Sequence, residues 1–280
     1  MIVRQQNKGV HEKICFRIKK VLRLYVIWSI IYLPLTFCGW IIEGNREPVY
    51  LLRCVRNFIL VGENFYSWAL WYLNGLVFAL IFIDLLLRKF SIKQIVKFGS
   101  VMYVLGIILT MFEGHLNKLP MIVSAAVKVY FAAFVTTRNG LFQSLIFVSI
   151  GMLVAETEKL GKLRISTGSI IAAAFMYLTK IATSFIGGQY FSKILDLPTF
   201  FFLFAVVISA CKKIDLKGKF YVRLRNWSET IYFVHMYFVA LCALVLYKSD
   251  YHNFKTFFIA ASGSFIISWL TSLYKERKNR

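Results

Sequence analysis

Residues 68–87, WALWYLNGLVFALIFIDLLL, decide the fold: in this run of 20 residues Asp84 is the one charged side chain. An α-helix rises about 1.5 Å per residue, so about 20 residues cover the ~30 Å of hydrocarbon in a bilayer. Runs of the same kind recur on both sides, at 21–42, 95–112, 141–155, 167–186, 196–211, 229–247 and 254–274. The expected fold is all-α, a polytopic integral membrane protein of about eight transmembrane helices. Its membrane domain covers 21–274, between a basic arm at 1–20 and a basic tail at 275–280.

Composition agrees. With 59% apolar and 17% aromatic residues and a mean hydropathy of +0.65, the chain carries more apolar surface than a water-soluble core absorbs, because buried area grows more slowly than the supply of apolar side chains. The surplus faces lipid, and the bilayer is the first partner. A net charge of +21 would suggest nucleic acid if the basic residues shared one soluble face. They sit instead in short loops between apolar runs, the pattern of membrane orientation, and no nucleic-acid partner is expected. Cys15, Cys38, Cys54, Cys211 and Cys242 are odd in number and dispersed, with neither C-x-x-C spacing nor a paired framework. They read as packing residues, and no metal site is expected. Residues 1–42 do not read as a cleaved signal peptide, since both the basic stretch and the apolar run are too long.

Charge also sets the number of crossings. The run 121–136, MIVSAAVKVYFAAFVT, is short and carries Lys128 near its middle. With eight crossings, one side holds the arm, the loops 88–97, 156–166 and 212–228, and the tail, and collects 23 Lys and Arg against eight on the other side. A ninth span at 121–136 would carry the 212–228 charges and the tail outside, against the positive-inside bias. The expectation is therefore a multi-pass protein of the plasma membrane with both termini cytoplasmic and 121–136 re-entrant or lying on the outer face. The absence of an evident internal repeat counts against the duplicated halves of many transporters.

Ionisable and amide groups at membrane depth are costly unless paired, so each is a site candidate. His235 lies six or seven residues into the 229–247 run, with Ser228, Thr230 and Tyr232 nearby; it is either a functional imidazole or one bonded to a neighbouring helix. Lys180 sits about two turns from a helix end, where its stem reaches the headgroups. Asp84 and Arg88 are four apart at a helix end and read as an ion pair. Asn74 reads as a helix-to-helix hydrogen bond. No P-loop, G-x-S-x-G elbow or H-E-x-x-H motif occurs.

Four segments, in order, resemble the membrane acyltransferase family called acyltransferase 3. Residues 19–35, KKVLRLYVIWSIIYLPL, are similar to the basic entry of that family's third helix, through Lys19, Lys20 and Arg23. Residues 67–83 resemble its W-[FY]-L helix, through Trp71, Tyr72 and Leu73. Residues 137–155, TRNGLFQSLIFVSIGMLVA, resemble its R-N-G-L-F segment, through Arg138, Asn139, Gly140, Leu141, Phe142 and Gly151. Residues 227–239, WSETIYFVHMYFV, resemble its penultimate helix, through Ser228, Ile231, Tyr232, His235 and Met236.

The resemblance implies transfer of an acyl group, normally acetyl, from acyl-CoA to a hydroxyl of a cell-surface glycan or related acceptor. No bound cofactor is implied; acyl-CoA (acetyl-CoA) is the co-substrate. Such chemistry needs a base for the acceptor hydroxyl, donors for the oxyanion and cations for the CoA phosphates. Lys19, Lys20 and Arg23 are candidates for the phosphates, with positive-inside anchoring as their alternative role. Trp71, Tyr72, Arg138 and Tyr232 are further substrate-site candidates, and Arg138 would orient an acceptor or tie down the 121–136 segment. The family has ten helices, the first with a catalytic Arg-x10-His motif. This chain resembles the family from the third helix on, and Arg4 and His11 are seven apart, so the motif is not carried onto them. The expectation is a ten-helix core less two, a fragment inactive alone unless a separate polypeptide supplies the missing helices or His235 serves as base. The alternative is a transporter or flippase for a surface-polymer precursor.

Overall fold

The computed structural model describes residues 2–42, 47–159, 167–185, 193–213, 218–246 and 253–278. Arg46, Lys162, Arg164, Lys217, Lys248 and Arg280 of the expected loops and tail lie outside the described residues. Every regular element among the described residues is helical. The helices are α1 (Ile2–Ile42), α2 (Pro48–Arg56), α3 (Trp71–Leu86), α4 (Ile92–Glu113), α5 (Met121–Phe134), α6 (Leu145–Lys159), α7 (Thr167–Phe185), α8 (Asp196–Lys213), α9 (Lys219–Leu241) and α10 (Phe254–Lys278). Wider π-helical turns follow α2 at Asn57–Val61, precede α6 at Gly140–Ser144 and follow α9 at Cys242–Leu246.

Six of these stretches are long and apolar enough to cross a membrane: Gly9–Ile42, Trp68–Leu86, Ile92–Glu113, Gly140–Lys159, Phe220–Leu246 and Phe254–Tyr274. This is the build of a polytopic membrane protein. The expected crossings at 167–186 and 196–211 are helical too, as Thr167–Phe185 and Asp196–Lys213. Helix α5 has 14 residues, about 21 Å at 1.5 Å per residue, which falls short of the ~30 Å hydrocarbon core.

Helix reaches beyond the apolar runs at two places. Residues 2–20, expected as a basic arm, continue unbroken into the apolar run, and α9 starts at Lys219, inside the expected 212–228 loop. The physical reason is the same in both: long basic side chains are good helix formers, and a helix already nucleated in the membrane extends at one hydrogen bond per added residue.

The chain forms two compact units, one of 1–24, 59–61 and 71–214 and a second of 25–58, 62–70 and 215–280. In the first, Ile14 of α1 is buried with Ile83, Ile95 and Leu145 of α3, α4 and α6. A second cluster joins Tyr103 and Ile107 of α4 to Ile146, Ile150 and Val154 of α6 and Ala205 of α8. Helix α4 starts with a capping box, Ser91 and Gln94 bonding each other's backbone N–H. Small residues let the helices close up: Gly99 faces the backbone of Ile146, and Gly75 faces Ser144. Asn74, buried, donates from Nδ2 to Ile59 O at 3.1 Å, the kind of bond expected of it.

In the second unit α9 packs along α10, with Ser264 and Ser268 fully buried and Gly263 against the Phe238 ring. Ser268 Oγ donates to Trp227 O at 3.2 Å. Residues 25–42 of α1 join them: Trp28 stacks on Phe233 with centroids 4.7 Å apart, and the Tyr32 hydroxyl donates to Phe233 O.

Candidate functional site

In the first unit the turn between α5 and α6 carries Arg138. Val135 ends α5 at φ 61, a left-handed backbone that a β-branched residue seldom adopts. The turn is tied down on all sides. Tyr130 OH donates to Thr136 O at 3.1 Å, Arg138 N donates to Thr136 Oγ1 at 3.1 Å, and the Thr110 and Thr137 hydroxyls bond at 2.8 Å. Asn139 Oδ1 accepts from Leu141 N and Phe142 N at 3.1 and 3.0 Å, capping the π turn that begins the next span. The Arg138 guanidinium stands 5.8 Å from the Trp71 ring centroid, within cation–π range. Two expected site residues distant in sequence are thus brought together. Tyr72 is exposed, with its ring edge-on to Trp71.

Beside this turn is a cavity of about 140 Å³ lined by Tyr103, Thr110, Arg138, Gln143, Lys193 and Asp196, among others. Tyr103 OH lies 2.8 Å from Lys193 O and 3.1 Å from Asp196 Oδ2. Lys180, expected to reach the headgroups, pairs with Asp196 instead. A paired ammonium costs less at depth than a bare one, and Asp196 opens the neighbouring helix in reach of it. Guanidinium, ammonium, carboxylate and hydroxyl groups around one small space suit an anion or a zwitterion.

Lys19, Lys20 and Arg23 are exposed on α1, and Lys19 and Arg23 follow one ridge at four-residue spacing. Asp84 pairs with Arg88 as expected, Nη2 to Oδ2 at 3.6 Å. It has a second partner that sequence did not announce, His11, whose Nδ1 lies 2.7 Å from Oδ1.

In the second unit His235 Nδ1 lies 3.2 Å from Ile231 O, a bond to its own helix rather than a neighbour. A carbonyl oxygen only accepts, so Nδ1 carries the proton, and in the neutral ring Nε2 presents its lone pair. Tyr232 lies beside it, ring centroids 6.1 Å apart, and its hydroxyl donates to Ala69 O at 2.9 Å. These two expected residues share a helix face.

The second unit also holds a group missed in sequence, the loop 62–68, GENFYSW. Gly62 at φ 85 and Tyr66 at φ 53 bend it sharply. For a bulky aromatic residue that backbone is strained, and such strain gathers at binding sites. Asn64 N donates to Ser67 Oγ at 2.6 Å and its Nδ2 reaches Cys54 O at 3.4 Å. The loop and α2 enclose a cavity of about 460 Å³ whose walls include Tyr50, Arg53, Arg56, Glu63, Tyr66 and Trp68. Tyr66 and Trp68 rings are 5.3 Å apart. A second, mainly apolar cavity of about 340 Å³ lies along Tyr25, Ser29 and Tyr32, and Glu63 lines it too. The missed signal was compositional: a Glu, an Asn and three aromatics within seven residues of loop.

Among the described residues no group of three or more His, Cys, Asp and Glu is arranged to hold a metal ion. No family model matches the chain, and no solved structure matches it. Among curated proteins the chain is similar to an amino-acid racemase from Enterococcus faecalis, with 28% identity over 147 residues, 51% of this chain. The matched part is 20% of that racemase, so the chain spans about a fifth of its length.

Proposed function

We propose that the protein is an acyltransferase-3-like membrane enzyme that moves an acyl group, normally acetyl, from acyl-CoA to a hydroxyl of a cell-surface glycan. The observation that carries this reading is the 460 Å³ cavity of the second unit. Aromatic rings pack against the C–H faces of a sugar ring, while Arg53, Arg56 and the Glu63 carboxylate take its hydroxyls. Glu63 is the group there able to accept a hydroxyl proton as the acyl group arrives. Lys19, Lys20 and Arg23 serve the CoA phosphates. With α7 and α8 crossing as a pair linked through Lys180 and Asp196, the count is eight and both termini are cytoplasmic.

The test is transfer from radiolabelled acetyl-CoA to added glycan, read as base-labile ester, in membranes carrying the full chain. Glu63→Gln is expected to lower the rate about 10²–10⁴-fold with the protein still monodisperse in detergent. Absence of acetyl ester with the unaltered chain overturns the reading.

A second reading rests on the 140 Å³ cavity of the first unit, where Arg138, Lys193 and Asp196 offer both signs of charge. It is passage or capture of a small zwitterion such as an amino acid, and the likeness to part of an amino-acid racemase is in keeping with it. Uptake of labelled amino acid into proteoliposomes without acyl-CoA, abolished by Arg138→Gln, would favour it over acyl transfer.

A further inference from the structure

The geometry points to Cys15, His11 and Asp84 as an acyl-accepting thiol site, in which Cys15 takes the acyl group from an acyl-CoA as a thioester before it passes to a hydroxyl. The inference rests on the acyl-transfer reading and supplies its donor half. Asp84 Oδ1 and His11 Nδ1 are 2.7 Å apart. An ionised carboxylate only accepts, so Nδ1 carries the proton, and in the neutral ring Nε2 is left as a base. Cys15 Sγ, one helical turn on, lies 3.6 Å from Nε2 and 3.8 Å from Nδ1, beside the ring and off the Nε2 lone-pair axis, so the thiol turns toward Nε2 before its proton transfers. Thiol, imidazole and orienting carboxylate are the three parts of an activated nucleophile, and unliganded sites hold such pairs loosely.

The arrangement is fixed by packing. Ile14, between His11 and Cys15, is buried with Ile83, which precedes Asp84. Asp84 is 12% exposed, and Arg88 takes its other oxygen at 3.6 Å, leaving Oδ1 to the imidazole. Cys15 itself is partly exposed, as a group that must meet a soluble thioester has to be. Lys19 and Arg23 continue the same ridge of α1, one and two turns beyond the thiol, where they meet the phosphates of CoA. His11 and Cys15 precede the crossing, on the side that charge assigns to the cytoplasm and its acyl-CoA.

The chemistry balances. His11 Nε2 takes the Cys15 proton, the sulfur attacks the thioester carbonyl carbon, and the carbon–sulfur bond to CoA breaks. The CoA thiolate takes the proton from His11 as it leaves, so one thioester replaces another and the imidazole is neutral again. In discharge the acceptor hydroxyl gives its proton to the base at its own site, its oxygen attacks the Cys15 thioester carbonyl carbon, and the carbon–sulfur bond breaks to free the Cys15 thiolate, which is reprotonated from solvent.

The experiment uses the full chain in membrane vesicles, pulsed with radiolabelled acetyl-CoA, quenched in acid and separated on a denaturing gel. Label is expected on the chain, released by neutral hydroxylamine and chased by acceptor. It should be absent in Cys15→Ala and in the near-isosteric Cys15→Ser, retained in Cys38→Ala, and lowered about 10²-fold or more in His11→Gln and Asp84→Asn. Cys15→Ala membranes that still acetylate the acceptor at full rate overturn the thioester while leaving acyl transfer standing. Acetylation of neither chain nor acceptor by the unaltered protein removes both. Acetyl label on Cys15 that acceptor does not chase marks a dead-end modification and overturns the proposal.

Discussion

Alanine at Gly140 tests whether the Arg138 turn is seated on α3 as described. A methyl group there would run into Phe78 and lie 2.9 Å from Gly75 O and 3.1 Å from Ala79 N. Two of these three neighbours are backbone atoms of a membrane helix, which cannot rotate aside, so the turn or α3 must shift by several tenths of an ångström. Overpacking of this kind costs about 1–3 kcal/mol. At about 2–4 °C per kcal/mol for a chain of this size, Tm in detergent falls by roughly 2–12 °C. Gly151 in α6 is the internal control, because a methyl there meets nothing within 4 Å, and Gly→Ala inside a helix gains about 0.5–1 kcal/mol. Fluorescence-detected size-exclusion after heating gives both numbers. Equal stability of Gly140→Ala and the parent, or an equal loss in Gly151→Ala, would refute the reasoning.

Three further outcomes follow from the same geometry. Asp196→Asn strands Lys180 and is expected to cost on the order of 1–3 kcal/mol, most of it recovered in the double variant with Lys180→Met; equal melting of single and double variants would dissolve the ion-pair argument. Asn139→Ala removes the acceptor for two backbone N–H groups and should cost about 1–2 kcal/mol by the same melting assay, whereas no change would mean the π turn holds itself. A cysteine at Val129, 70% exposed, in a cysteine-free background should react with an impermeant maleimide in intact cells. Labelling only after permeabilisation would put α5 in the cytoplasm and break the charge-derived topology.

What could be read from the sequence is what depends on composition along the chain. The apolar runs mark the six long spans because lipid exposure demands uninterrupted apolar surface, and the Asp84–Arg88 pair is readable because four-residue spacing fixes a helical neighbour. Helix ends are less legible where basic residues continue a helix into water, as at Lys219, Arg223 and Arg225. Pairings between distant helices are not legible at all. Nothing in the sequence sets the rotation of α1 against α3, on which the meeting of His11 and Asp84 depends, and Lys180 finds Asp196 only through the packing of α7 on α8. Arg138 and Trp71 were each singled out by resemblance, but their cation–π contact depends on how closely Gly140 approaches Gly75. His235 illustrates the reverse. Its depth made it prominent, yet its Nδ1 bonds its own helix at Ile231.

The wide turn at Gly140–Ser144 sets a phase. Ser144 N reaches back five residues to Asn139 O at 3.0 Å, so this turn holds one residue more than the α-helix it leads into, and each residue turns a helix by about 100°. The offset lets Asn139 and Gly140 meet α3 while Ile146, Ile150 and Val154 meet α4 and α8. A regular α-helix through the same positions would satisfy one set of contacts and swing the other away by about a quarter turn or more. The segment therefore works as a fixed angular coupling between the Arg138 turn and the core stripe of α6. Its angle is set by the number of residues it holds.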